Sequence, residues 1–333
     1  MLRIFLLVIT VSFIISCGDK TYLPQSVGKA GEIIVVIENQ FLENEAGAAI
    51  KNIFGKYQPG LPQAEALFSI IPIPEKELSK ILKRHRNILI ADISGNHADS
   101  DISFKKNVWA NNQLCVKISA PSDSAFTNVL VKNQDILTHY FQEVELERLI
   151  SGIEKSENKP VQKQLKDNQK LNLAIPKGYQ IVMDTLQFTW LKYDSERSSG
   201  GYEHQINRNL LLYYNDYKSE QMLTLNNLLN KQDSVTKKYI SGPTPGSFMK
   251  IVEEYPVNKK SFNLNGNYAL EVRGLWQLEG DFMGGPFLNY TTVDTLNNKV
   301  VSLVSFIYAP NFDKREYLRE MEAIMRTIMF KEN

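Results

Sequence analysis

Cysteine and histidine are scarce: two and four in 333 residues. His85, His97, His139 and His204 form no H-E-x-x-H motif and no other i, i+4 pair. Without paired cysteines as well, the ligand spacing of a structural zinc site is missing. Asp99 and Asp101, in Asn96–Asp101, could touch a cation, but a calcium loop needs further oxygen ligands and a closing acid. Also missing are G-x-S-x-G, S-x-x-K with its companion motifs, and the P-loop lysine. No cofactor is expected. Charge of one sign is lacking too, since 38 Lys and Arg face 37 Asp and Glu. Such a balance excludes a general pull toward nucleic acid or anionic lipid.

Long apolar runs are absent except at the start. Met1-Leu2-Arg3 supplies one positive charge, and Ile4 to Ile15 is apolar but for Thr10 and Ser12. About a dozen residues are too few for a bilayer span, which takes ~20. A charged start, a short apolar run and a small residue describe a secretory signal. Cys17, directly after Ser16, makes the segment resemble a bacterial lipobox. That resemblance implies that residues 1–16 are removed and that Cys17 carries the lipid anchor, so membrane lipid is the first partner. Gly18 is not the acidic residue that retains lipoproteins in an inner membrane, which favours an outer-membrane location in the cell envelope. Acylation of Cys17 leaves Cys115 unpaired. It sits in the strand-like run Gln113–Ile118 and is expected to be a buried, inert thiol. A disulfide framework is thereby excluded.

Residues 17–333 suffice for two domains. Residues 17–29 are expected to be a tether. Residues 30–155 alternate strand and helix: a β-branched strand at 32–37, then a helix with Leu42, Ala46, Ala49, Ile50, Ile53 and Phe54 on one face. Strands at 67–73, 87–93, 108–109 and 114–118 follow, with a helix at 75–85 between the first two. A long helix runs from Pro121-Ser122-Asp123 to about 153. Residues 156–170 are charged and are expected to be a linker or a helix extension. Residues 171–333 are richer in strands, with a helix near 220–240 and a last helix opened by Asp313 and Glu316 at capping-box spacing. The fold class is therefore α+β: two lobes, each a β-sheet with helices packed on it, the C-terminal lobe mainly antiparallel.

Three stretches are candidate sites. Lys83-Arg84-His85-Arg86-Asn87 is a basic cluster. It either binds an anion through Arg86 and Asn87 or sets cations against a helix C-terminus. In Gly274–Phe287, Trp276 and the pair Gly284-Gly285 permit a close backbone approach, by a ligand or by a neighbouring strand in a hairpin. Trp190, Tyr193, Tyr202 and Trp276 would serve a glycan-binding module if they lined one exposed strip.

Together with the lipobox, Leu23-Pro24-Gln25-Ser26-Val27-Gly28-Lys29, Leu61-Pro62-Gln63-Ala64-Glu65, Arg86-Asn87-Ile88-Leu89 and Gly280–Phe287 resemble an uncharacterised lipoprotein family of Bacteroidota, domain of unknown function 4837. The resemblance covers nearly the whole mature chain and implies no activity, substrate or catalytic residue. Asp-Ser/Thr-aliphatic triplets at Ser124, Thr185, Ser234 and Thr295 resemble O-glycosylation sites of periplasmic proteins of that lineage, although N-caps and turns use the same residues. The expected function is a lipid-anchored envelope protein, non-enzymatic, with a binding or assembly role toward an envelope protein or glycan. An envelope hydrolase with a site between the lobes is the alternative.

Overall fold

A computed structural model describes residues 22–331. The expected signal and Cys17 lie outside the described residues.

The N-terminal lobe contains β1 (Glu32–Val36), α1 (Asn39–Leu42), α2 (Glu45–Phe54), β2 (Ser69–Ile73), β3 (Asn87–Ile93), β4 (Asp101–Lys106), β5 (Leu114–Ala120), α3 (Asp123–Lys132) and α4 (Gln134–Lys155). Its sheet has the order β2-β1-β3-β5-β4, parallel except for β4. Side chains alternate across a strand, and both faces of β1 are covered. Ile33 and Val35 meet α2, α3 and α4, where Phe54, Phe68 and Phe141 pack edge to face. Ile34 and Val36 turn the other way, onto Leu78, Leu82 and Trp109. That second cover is thin. The helix expected at 75–85 is instead two 3-10 turns, Glu75–Glu77 and Leu82–Arg84, because the Ser79 hydroxyl accepts from the Leu82 amide and breaks the run. The long helix is broken at Asn133, and Ser122 caps its first half by accepting from Ala125 N.

The C-terminal lobe contains α5 (Lys159–Gln169), β6 (Leu171–Asn172), β7 (Gln180–Thr185), β8 (Phe188–Ser199), β9 (Tyr202–Asp216), α6 (Leu225–Tyr239), β10 (Phe248–Ile251), β11 (Asn258–Leu264), β12 (Asn267–Glu279), β13 (Gly284–Asp294), β14 (Lys299–Tyr308), α7 (Arg315–Arg326) and β15 (Met329–Phe330). Its large sheet is antiparallel, in the order β10-β12-β13-β14-β9-β8-β7, with β11 also on β12. Leu228 and Val235 of α6 cover one face, with Val272 and Phe306. Met321, Ile324 and Met325 of α7 cover the other, with Leu288, Tyr290 and Leu303. Cover on both sides explains why β13 and β14 are buried along almost their whole length.

The charged stretch 156–170 is folded. Asn158 accepts from Val161 N, Pro160 sits in the first turn, and Lys170 ends the helix in the left-handed region at φ 56°. Leu165 of α5 reaches the same core as α7. The expected tether is docked from Leu23 onward. Val27 donates to Arg84 O and accepts from Arg86 N, while Asn111 donates to Leu23 O through its side chain and to Pro24 O through its backbone. A Cβ at Gly28, where φ is 102°, would collide with the His85 ring.

Candidate functional site, the charged seam between the lobes

The lobes meet where α4 and the loop 58–68 face α7 and β12. The start of α7 is the first point of contact. A helix N-terminus leaves four backbone N–H groups unpaired, and neither Asp313 nor Glu316 satisfies them as the capping-box spacing suggested. Glu65, from the other lobe, does so. Its buried carboxylate accepts from Lys314 N at 2.7 Å and from Arg315 N at 2.8 Å. The negative charge also meets the positive end of the helix dipole. Arg315 and Arg319 then reach back, donating to Ala66 O at 2.6 Å and Leu67 O at 3.2 Å. Glu316 is freed to accept from both guanidinium groups. Leu61, just upstream, is buried in the core of the C-terminal lobe. Gly60 lies where a Cβ would press on Arg273, and its φ of 76° suits glycine.

Deeper in the seam, β12 points Glu271 and Arg273 at α7. Arg273 holds Glu271 with two bonds, at 2.7 and 3.2 Å, and donates to Glu322 at 2.7 Å. Tyr290 of β13 donates to the other Glu322 oxygen at 2.9 Å, and Arg326 ties Glu322 to Glu143 of α4. Burial alone would raise the Glu322 carboxyl. Burial is the largest single effect, but Arg273, Arg326 and Lys260 together outweigh it and hold the carboxyl down to about 2. Burial, joined by Glu322, pushes the Tyr290 hydroxyl well above its usual value, so it remains a donor. The cavity lined by Gln142, Glu143, Arg273, Arg319, Glu322 and Arg326 measures about 30 Å³. That is room for about one water molecule. Every seam carboxylate is already matched to a guanidinium or an amide. The chemistry this arrangement performs is cohesion between lobes.

The depressed Glu322 carboxyl sets an acid limit. The unfolded chain takes up its proton near pH 4.5 and the folded one near pH 2. The stabilisation is therefore complete above about pH 4.5 and is lost as pH falls toward 2. The urea midpoint should drop more between pH 5 and 3 for wild type than for Glu322→Gln, whose starting midpoint is lower. Equal slopes would show that Glu322 does not set the limit.

The basic cluster divides. Lys83 and Arg84 are half-buried, against the Trp109 ring and the Gln25 carbonyl, whereas Asn87 is completely buried. Asn87 donates to Glu32 O at 2.9 Å and Glu145 at 2.6 Å and accepts from Arg148 at 3.0 Å. Arg86 pairs with the same Glu145 at 2.8 Å. Asn87 has no group left for an anion, and Arg86 is turned inward onto the buried Glu145, so the pair forms no open anion site, which corrects that expectation. Trp276 is 3% exposed and donates to Ile307 O at 3.2 Å. A Cβ at Gly285 would collide with that same carbonyl of β14, and one at Gly284 with Trp276 O of β12, so Gly284-Gly285 let β13 lie close between its two neighbouring strands rather than beside a ligand. The four rings of the glycan reading are not brought together. Trp190 and Tyr193 pack on opposite faces of β8, Trp276 is core, and Tyr202 stands exposed at the β8–β9 turn.

Ser124, Thr185, Ser234 and Thr295 all belong to exposed residues: the first turn of α3, the β7–β8 turn, α6 and the β13–β14 turn. Burial pushes the Cys115 thiol up to about 12. Among the described residues no group of three His, Cys, Asp or Glu is placed to hold a metal ion, and no helix is long and apolar enough to cross a membrane. Sequence reasoning missed Glu65, Arg273 and Glu322. The one available signal was Glu271 and Arg273 at i, i+2 within an otherwise apolar strand, a spacing that puts both on one face.

Two family models match the chain, one on each lobe. Residues 158–327 match a domain of unknown function, DUF4837, and residues 26–154 match another, DUF8532. No curated protein matches. Among solved structures, a protein of Bacteroides thetaiotaomicron VPI-5482 is 9% identical over 50% of this chain, with a TM-score of 0.28. The chain spans about half of that protein, 47% of its length. LpqN of Mycobacterium tuberculosis, described as involved in cell envelope biogenesis, is 13% identical over 48% of this chain and 83% of its own, with a TM-score of 0.29. Both overlays are partial, and neither bears on function.

Proposed function

The chain belongs to the DUF4837 family, and from that premise we propose that it is a lipid-anchored protein of the cell envelope with a binding or assembly role. The observation that carries this reading is Ser16-Cys17 behind an apolar run too short to span a bilayer. The seam argues against the alternative of a hydrolase site between the lobes, because its carboxylates are engaged and its cavity admits about one water. Near-zero net charge leaves attachment to the acyl chains, each buried CH₂ contributing about 0.8 kcal/mol. The outer membrane is the destination we assign, from Gly18 after Cys17. The exposed residues Ser124, Thr185, Ser234 and Thr295 are the sugar acceptors of the same reading.

Cys17→Ser tests the anchor. Serine keeps size and polarity but has no sulfur for a thioether. The wild type should label with a fatty-acid probe, partition into detergent and show acyl mass, with hexose-sized increments where hydroxyls are modified. The variant should lose label and partitioning. A variant that still labels, or a wild type without acyl mass, overturns the proposal.

A further inference from the structure

The docked strap at Leu23–Lys29 limits how the body can stand on a membrane. Beyond Ala30 the chain enters β1, and the strap is pinned by bonds to Arg84, Arg86 and Asn111. From Cys17 to Leu23 are six residue steps, which span at most about 20 Å fully extended. A folded body of this size is roughly 50 Å across. Only the surface around the strap can therefore come against the bilayer.

That surface has a particular composition. Residues 78–86 carry four cations and no acid. Arg84 donates to Gln25 O of the strap at 3.1 Å, and Lys83 lies over the Trp109 ring, 5.7 Å from its centroid. Among the described residues no carboxylate is within ion-pair distance of Lys80, Lys83 or Arg84. Ile81, beside them, is 71% exposed. An exposed aliphatic side chain flanked in sequence by Lys80, Lys83 and Arg84, none of them ion-paired, suits an interface of phosphate headgroups over acyl chains. We propose that Lys80, Ile81, Lys83, Arg84 and Trp109 rest against anionic phospholipid headgroups of the bilayer that holds the anchor. The assignment rests on the lipid-anchor reading.

The test uses the full lipidated protein in vesicles of phosphatidylcholine and phosphatidylglycerol with a headgroup-borne spin label. A fluorophore is placed at Ile81→Cys or, as control, at Leu186→Cys, which is exposed in the C-terminal lobe. The buried Cys115 thiol, pushed up to about 12, stays unlabelled. Quenching at position 81 should exceed that at 186 at least threefold. It should weaken when phosphatidylglycerol is omitted, when salt is raised, or when Lys80, Lys83 and Arg84 are replaced by glutamate. Equal quenching at both positions, or none at 81 in protein that floats with the vesicles, overturns the docked face while leaving the anchor intact. Protein that neither floats nor carries acyl mass removes the anchor and the docked face together.

Discussion

Arg273→Met should destabilise the protein by about 3–5 kcal/mol, the cost of breaking a buried ion pair from one side. Methionine keeps the length and apolar stem of arginine, so packing against β12 and α7 changes little. What is lost is the cation between Glu271 and Glu322. Lys260 and Arg326 remain near, but Lys260 is half exposed and Arg326 already serves Glu143. The carboxylates must then take up protons or admit water. Glu322→Gln should cost markedly less in the Arg273→Met background than alone, because the two share one interaction. Urea midpoints of the four proteins measure this. A loss below about 1 kcal/mol for Arg273→Met would mean that water already screens the cluster.

The second large effect is expected at Glu65. Alanine there removes the acceptor for two backbone amides of α7 and the charge that faces its dipole. Loss of a cap costs about 0.5–2 kcal/mol. Burial of the orphaned donors carries Glu65→Ala to the upper end or beyond. Glu65→Gln keeps one acceptor oxygen without the charge and should fall between. Hydrogen exchange resolves the site of damage: amides 314–318 should lose protection in Glu65→Ala while those of α2 keep theirs. Unchanged protection at 314–318 would assign the capping role elsewhere.

The architecture was legible where one segment answers to its own pattern. Ile33 to Ile37 reads as a strand buried on both faces, and Ala46, Ile50 and Phe54 as one helix face, because these patterns are local. The polar strands β4 and β11 were not. Asp101–Lys106 and Asn258–Leu264 owe their conformation to partners across the ladder rather than to their own hydrophobicity. The break at Asn133 and the 3-10 turns of 75–84 hide for a related reason, since side-chain competition for backbone groups leaves the apolar period intact. The seam was almost wholly illegible. Glu316 stands at textual capping distance from Asp313, yet the acceptor comes from position 65. Trp276 and Gly285 carried the look of a ligand loop, and only the register Trp276↔Gly285 shows that each excludes a third party.

The reach of Glu65 to α7 also orders events in time. The two ends of this contact are 250 positions apart. A chain that enters the envelope N-terminus first presents position 65 well before position 315. Throughout that interval Glu65 has no amides to hold, and Leu61 and Leu146 have no core to enter. The N-terminal lobe can assemble its sheet but must wait with an open, adhesive flank. Any chain that stops short of α7 keeps that flank for good and remains a ready substrate for chaperones and proteases, so closure of the seam marks a complete molecule.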